Sequence, residues 1–132
     1  MNDRNIAILY GDPPRGLVEI PANSNQFSPL MPGSAKLKDY ASSSLTGAVV
    51  YAPPGTLERR YVLARVLMAL QVGAKLTALA LKDKGGSRIA AELEAFGCEV
   101  ADDSRSHHRI VTTTRPAQMS GIEEALAQGG LQ

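Results

Sequence analysis

Between residues 48 and 114 the apolar pattern switches repeatedly between period two and period 3.6, which restricts the chain to an α/β domain. Ala48-Val49-Val50-Tyr51-Ala52 is a near-continuous apolar run, as in a strand buried on both faces. Pro53-Pro54-Gly55 ends it. A helix follows over residues 57–71, with Thr56 as its N-cap and Glu58 in its first turn, where the macrodipole favours a negative charge. Leu57, Tyr61, Ala64 and Met68 share one face of that helix, and Val66, Leu67 and Leu70 widen its apolar surface. Gly73 suits the position just past its end.

Residues 75–81 read as a second buried strand, 82–86 as a loop and 87–96 as a second helix with Gly97 as its stop. A third strand starts at 98–101, and β-branched residues mark a fourth at 109–114. The polar linker 102–108 between them is short, so this pair is expected to run antiparallel. Ser120-Gly121-Ile122-Glu123 fits a capping box opening a last short helix to residue 128. Upstream, Ile6-Ala7-Ile8-Leu9-Tyr10 reads as a strand ended by Gly11-Asp12-Pro13-Pro14. Residues 17–20 read as a short strand, and 33–47 as irregular with a short helix at 34–40.

The chain has 132 residues, so the expectation is one domain over 1–132 with a core of its own. With 44% hydrophobic and 20% charged residues it is neither disordered nor collagen-like. No apolar stretch approaches the ~20 residues of a membrane span. Asn2-Asp3-Arg4-Asn5 does not read as a secretory leader. A single cysteine, Cys98, excludes an internal disulfide. A cytoplasmic protein without a membrane partner is the simplest reading. A net charge of +1 gives no global nucleic-acid field, so any RNA contact must be a local patch.

The best anion candidate is Lys82-Asp83-Lys84-Gly85-Gly86-Ser87-Arg88. There a glycine-rich helix start carries Lys82, Lys84 and Arg88 beside the backbone N–H groups of Gly85 and Gly86. The spacing is not that of a P-loop, Asp83 offsets one charge, and a solvated turn is the competing reading. His107, His108 and Arg109 suit RNA or interdomain contact, or a plain polar hairpin. Adjacent strand residues point to opposite faces, so the two histidines do not share a metal, and no metal site is expected. Arg59, Arg60 and Arg65 read as a solvated or interface stripe. Cys98 reads as a buried small hydrophobe.

The order strand, helix, strand, helix, strand and reversed strand resembles the ending of the Rossmann-like S-adenosylmethionine-dependent methyltransferase fold. Here its N-terminal half is abbreviated, and a mainly parallel sheet closes on an antiparallel C-terminal pair. Ala52-Pro53-Pro54-Gly55 falls where amino-group methyltransferases carry Asn/Asp-Pro-Pro-aromatic. Five phrases carry a closer likeness: Gln26-Phe27-Ser28-Pro29-Leu30, Leu57-Glu58-Arg59-Arg60-Tyr61, the 82–88 string, Ala95-Phe96-Gly97-Cys98 and His107-His108-Arg109-Ile110. With them the chain resembles the N-terminal domain of two-domain bacterial small-subunit ribosomal RNA guanine-N2 methyltransferases. The resemblance implies a decayed, non-catalytic copy of the catalytic domain. Its partners would be a C-terminal catalytic domain, which binds S-adenosylmethionine and which this copy helps to fold, and ribosomal RNA. Gln132 falls about where the linker to such a domain would begin.

The residues agree with a silent copy. A cofactor loop needs glycines where backbone approaches ligand, yet the first strand is followed by Gly11-Asp12-Pro13-Pro14-Arg15. Asp12-Pro13-Pro14 matches Asp-Pro-Pro literally, but no cofactor unit precedes it and Arg15 takes the aromatic position, so it reads as a turn. In the decayed motif Ala52 replaces the hydrogen-bonding residue and Gly55 the aromatic, while Pro53 and Pro54 keep only the turn. The chain alone is therefore expected to be inactive and to bind no cofactor. Two other readings stand beside this one: a small stand-alone methyltransferase or other nucleotide-binding α/β enzyme, and a dimerisation module forming a homodimer.

Overall fold

The computed structural model describes residues 7–21, 24–27 and 43–129. The elements in chain order are β1 (Ala7–Tyr10), β2 (Asn25–Phe27), β3 (Leu45–Tyr51), α1 (Thr56–Ala69) and β4 (Leu70–Leu81). A 3-10 turn at Lys82–Lys84 follows, then α2 (Gly86–Ala95), β5 (Val100–Arg105), β6 (His108–Thr114) and α3 (Ile122–Gly129). The helix expected at 34–40 lies outside the described residues.

The described strands form one six-stranded sheet in the order β2-β1-β3-β4-β6-β5. β1 runs parallel to β2 and β3, and β3 parallel to β4. β6 is antiparallel to both β4 and β5. This is the Rossmann-like methyltransferase arrangement: a parallel centre, an antiparallel C-terminal pair, and few elements before the centre. The strand order reverses between β1 and β3, so a crevice outside their carboxyl ends is where a doubly wound sheet offers a ligand site.

Alternate strand residues feed two cores. On one face Ile8, Val50, Leu76, Ala78 and Val111 pack against Leu63, Leu67, Ile89, Leu93 and Phe96 of the helical layer. On the other, Val49, Leu79 and Ile110 meet Leu17 and Val18 of the β1–β2 connection. No helix among the described residues is long and apolar enough to cross a membrane.

Several boundaries differ from the sequence reading. Residues 17–20 form no strand; the short strand beside β1 is Asn25–Phe27. Leu17 instead turns inward as a core residue, 6% exposed. Thr56 is the first helical residue and not the cap. Gly55 holds the extended cap conformation, and no side chain bonds the helix start. α1 ends at Ala69 and passes directly into β4, so Gly73 lies inside the strand. The end of α1 is held from outside: Arg115 Nη1 donates to the Met68 carbonyl at 3.0 Å and to that of Leu70, and the Ser43 N–H also reaches Met68 O at 3.0 Å. These contacts supply the carbonyl partners that a glycine cap would otherwise provide. On α1 the expected face was partly wrong: Leu57 is 46% exposed, whereas Arg59 is fully buried. The linker 102–108 is mostly strand. β5 runs to Arg105, leaving the two-residue turn Ser106-His107, both with positive φ (50° and 64°). Gly121, whose carbonyl accepts the Ala125 N–H at 3.1 Å, stands at the head of α3 where the sequence suggested Ser120.

Candidate functional site at the carboxyl ends of the parallel strands

At the point of strand reversal the turn after β1 packs against the end of β3. Gly11 follows β1 with φ +82°, and a Cβ there would lie 3.0 Å from Tyr51 Cβ and 3.1 Å from Tyr51 O. The turn therefore rests on the end of β3, and only glycine fits. Asp12 is exposed and Pro13 buried. The next turn closes through Leu17 N–H to Pro14 O at 3.4 Å.

The end of β3 is equally committed. Ala52 is buried in the helical core, and its N–H donates to Leu79 O at 2.8 Å. Pro53 is half-buried, while Pro54 and Gly55 are exposed. The Pro54 carbonyl accepts from Arg59 Nη1 at 2.8 Å. Arg59 also donates from Nε and Nη2 to the Glu92 carboxylate at 2.7 and 2.6 Å. Its side chain is 1% exposed and that of Glu92 12%. This forked pair is far stronger than a surface contact, and it ties the 52–55 turn to α1 and α2. The expected solvated stripe thus splits. Arg59 is structural, Arg60 reaches Gln128 Oε1 at 3.3 Å, and Arg65 donates to Tyr61 O–H at 3.2 Å and stacks on its ring.

The same guanidinium explains part of the 82–88 loop. Gly85 has φ +97°, and a Cβ on it would come 2.4 Å from Arg59 Nη1. A Cβ on Gly86 would lie 2.4 Å from Ala80 O and 2.7 Å from Leu81 O. Both glycines are demanded by packing, irrespective of any anion. Lys82, Lys84 and Arg88 are exposed, with Asp83 between the lysines. None of the three cations has an ion-pair partner among the described residues. α2 has no acidic residue in its first turn and no side-chain cap, so its positive end is uncompensated. The Lys82 N–H donates to His107 O at 2.9 Å, which sets the loop beside the β5–β6 turn.

The histidines divide. His107 is exposed at that turn, whereas His108 is 5% exposed. His108 Nδ1 lies 2.7 Å from the Ser106 carbonyl, which only accepts, so Nδ1 carries the proton. Nε2 then accepts from the Tyr51 O–H at 2.9 Å. Burial raises the Tyr51 phenol above its ordinary pKa. His108 is therefore set inside the fold, paired across the sheet with Leu81. Arg109 makes a two-bond pair with Asp102, which raises its pKa further, so its charge is already matched. Burial pushes the Cys98 thiol up, outweighing a hydrogen bond with Thr113 that lowers it, so the thiolate nucleophile is disfavoured. No cluster of three or more His, Cys, Asp or Glu residues suited to a metal occurs among the described residues.

Of the expected anion-site residues, Lys82, Lys84 and Arg88 are exposed. Sequence reasoning misses Tyr51 and Arg59, the side chains against which the 11–14 and 52–55 turns are held. An aromatic at the end of an apolar strand was the only local signal for Tyr51. Nothing near Arg59 in sequence announces its partner.

No family model and no curated protein matches the chain. Among solved structures, it is similar to the 16S rRNA N2 methyltransferase RsmC of T. thermophilus, solved in complex with AdoMet and guanosine. The TM-score is 0.60 and the identity 15%, over 89% of this chain and 37% of that one. It is also similar to the CurJ carbon methyltransferase, with a TM-score of 0.52 and 8% identity over 71% of this chain and 35% of that one. At these identities the likeness is one of fold: a methyltransferase fold. The chain spans little more than a third of the length of either protein.

Proposed function

We propose that this chain is a non-catalytic methyltransferase-fold domain, belonging N-terminal to the catalytic domain of an S-adenosylmethionine-dependent ribosomal RNA (guanine-N2) methyltransferase. In that role it supports the folding of the catalytic domain and lends a weak grip on RNA. The observation that supports the reading is the packed strand reversal: Gly11 lies on Tyr51, and Ala52 at the end of β3 is buried in the helical core and offers no hydrogen-bonding side chain to a methyl acceptor's amine. Cofactor chemistry then belongs to the partner domain, where S-adenosylmethionine supplies the methyl group. The likeness to a 16S rRNA methyltransferase over about a third of its length supports the assignment to a larger enzyme.

The RNA grip is assigned to Lys82, Lys84 and Arg88, which are exposed together beside an uncompensated helix start. His107 flanks them; His108 and Arg109 lie outside this reduced set. Phosphate contacts of this type release counterions, and each steepens the log–log salt dependence by about 0.7 to 0.9. Filter binding of a 16S rRNA fragment across a salt series tests it. The parent should bind weakly, with little sequence preference. The Lys82→Ala, Lys84→Ala, Arg88→Ala triple variant should lose roughly two units of slope. A triple variant that binds like the parent at every salt concentration removes the RNA role and leaves folding support.

A further inference from the structure

The turn between β5 and β6 is strained without a packing reason. Ser106 and His107 hold φ of 50° and 64°, where asparagine followed by glycine is the usual pair. Both residues are exposed, so no buried contact offsets the cost of the turn. Backbone strain concentrates at binding and catalytic positions, and it raises the question of what the His107 side chain does there.

Hydrogen bonds on both sides fix where this residue stands. The His107 carbonyl accepts from the Lys82 N–H at 2.9 Å, which joins the turn to the loop carrying Lys82, Lys84 and Arg88. On the strand side His108 Nδ1 donates to the Ser106 carbonyl at 2.7 Å, and His108 is itself held by the Tyr51 O–H. The 3-10 turn also brings Asp83. Arg105 of β5 is paired with Asp103, and Arg109 of β6 with Asp102. His107 has no ion-pair partner among the described residues. Lysine, arginine and aspartate keep their charge across neutral pH, whereas histidine is the side chain that gains one between pH 8 and pH 5. The chain holds two histidines. His108 is 5% exposed with both ring nitrogens bonded, so His107 is the one that a ligand reaches.

We propose that His107 is a pH-dependent phosphate contact: its imidazolium joins Lys82, Lys84 and Arg88 on an RNA backbone and tightens the grip as pH falls. The proposal rests on the RNA reading above. It adds a contact from a second element, the hairpin turn, and a dependence on pH that the lysines and Arg88 do not supply.

Filter binding of the 16S rRNA fragment across a salt series, at about pH 5.5 and about pH 8, tests it. The parent should bind more tightly at the lower pH, with a log–log salt slope steeper by about 0.7 to 0.9. His107→Asn tolerates the positive φ and carries no charge; it should show one slope at both pH values. Ser106→Asn with His107→Gly relieves the turn, so its loss of the pH dependence is not a loss of fold. His107→Lys should keep the steeper slope at both pH values. A parent that binds RNA with one slope at both pH values, or a pH dependence that survives His107→Asn, overturns this proposal and leaves the lysine contacts standing. A parent that binds RNA at neither pH overturns the RNA reading and this proposal together.

Discussion

Arg59 is the residue on which the closed end of the sheet depends. Its guanidinium bonds Glu92 twice and Pro54 once while sitting beneath Gly85. Removing it strands a carboxylate that is 12% exposed and frees a turn carbonyl. Arg59→Ala should therefore cost about 3–5 kcal/mol in urea unfolding. Arg59→Met combined with Glu92→Leu should cost clearly less, because no charge is left without its partner. Gly86→Ala tests the packing of the neighbouring loop. Its Cβ would press on two backbone carbonyls that belong to β4, so a loss of about 3 kcal/mol in the same experiment is expected. None of this was legible locally. Arg59-Arg60 looks like any solvated pair, because its meaning is set by Glu92, 33 residues further on. Gly85 and Gly86 were legible as a turn, but the reason for each glycine lies in Arg59 and in the end of β4.

At the scale of elements, the β5–β6 hairpin shows where pattern reading stops. Val100-Ala101-Asp102-Asp103-Ser104-Arg105 lacks an apolar alternation because β5 is an edge strand, exposed along nearly all its length. Its place is fixed by pairing with β6, and its turn puts two non-glycine residues at positive φ, where Asn-Gly is the usual choice. Replacing Ser106-His107 by Asn-Gly should raise stability by about 1 kcal/mol, read as a higher urea midpoint at constant slope. β3, β4 and α2, by contrast, were legible from apolar runs and helical spacing, since each answers to a core beneath it. The end of α1 was not: Arg115, beyond β6, takes the carbonyls that mark it.

For the whole molecule, the alternation of elements predicts a mainly parallel sheet with an antiparallel C-terminal pair, and the sheet has both; its order β2-β1-β3-β4-β6-β5, with Asn25–Phe27 at one edge, is not legible from that alternation. Chemistry at the strand reversal was legible only as missing motifs; the packing of Gly11 on Tyr51 joins two strands and has no local signal. Burial raises the pKa of Cys98, Tyr10 and Tyr51, with Glu58 and Tyr61 adding to the rise at Tyr10. Each is held in its protonated form more firmly when folded than unfolded. Their contribution is complete below the ordinary thiol and phenol values and is lost as pH rises through the raised ones. The melting temperature should accordingly be insensitive to these groups near neutrality and fall above about pH 9, measured by differential scanning calorimetry.

Titration calorimetry of S-adenosylmethionine into the chain tests most directly the proposal that this methyltransferase-fold domain binds no cofactor. Gly11 packs against Tyr51, and Asp12-Pro13-Pro14 follows it in the turn where a cofactor loop would carry further glycines. The account predicts no saturable heat at ligand concentrations up to about 1 mM, an affinity of no more than about 4 kcal/mol. One-site binding in the low micromolar range, weakened by a substitution at Tyr51, would contradict it.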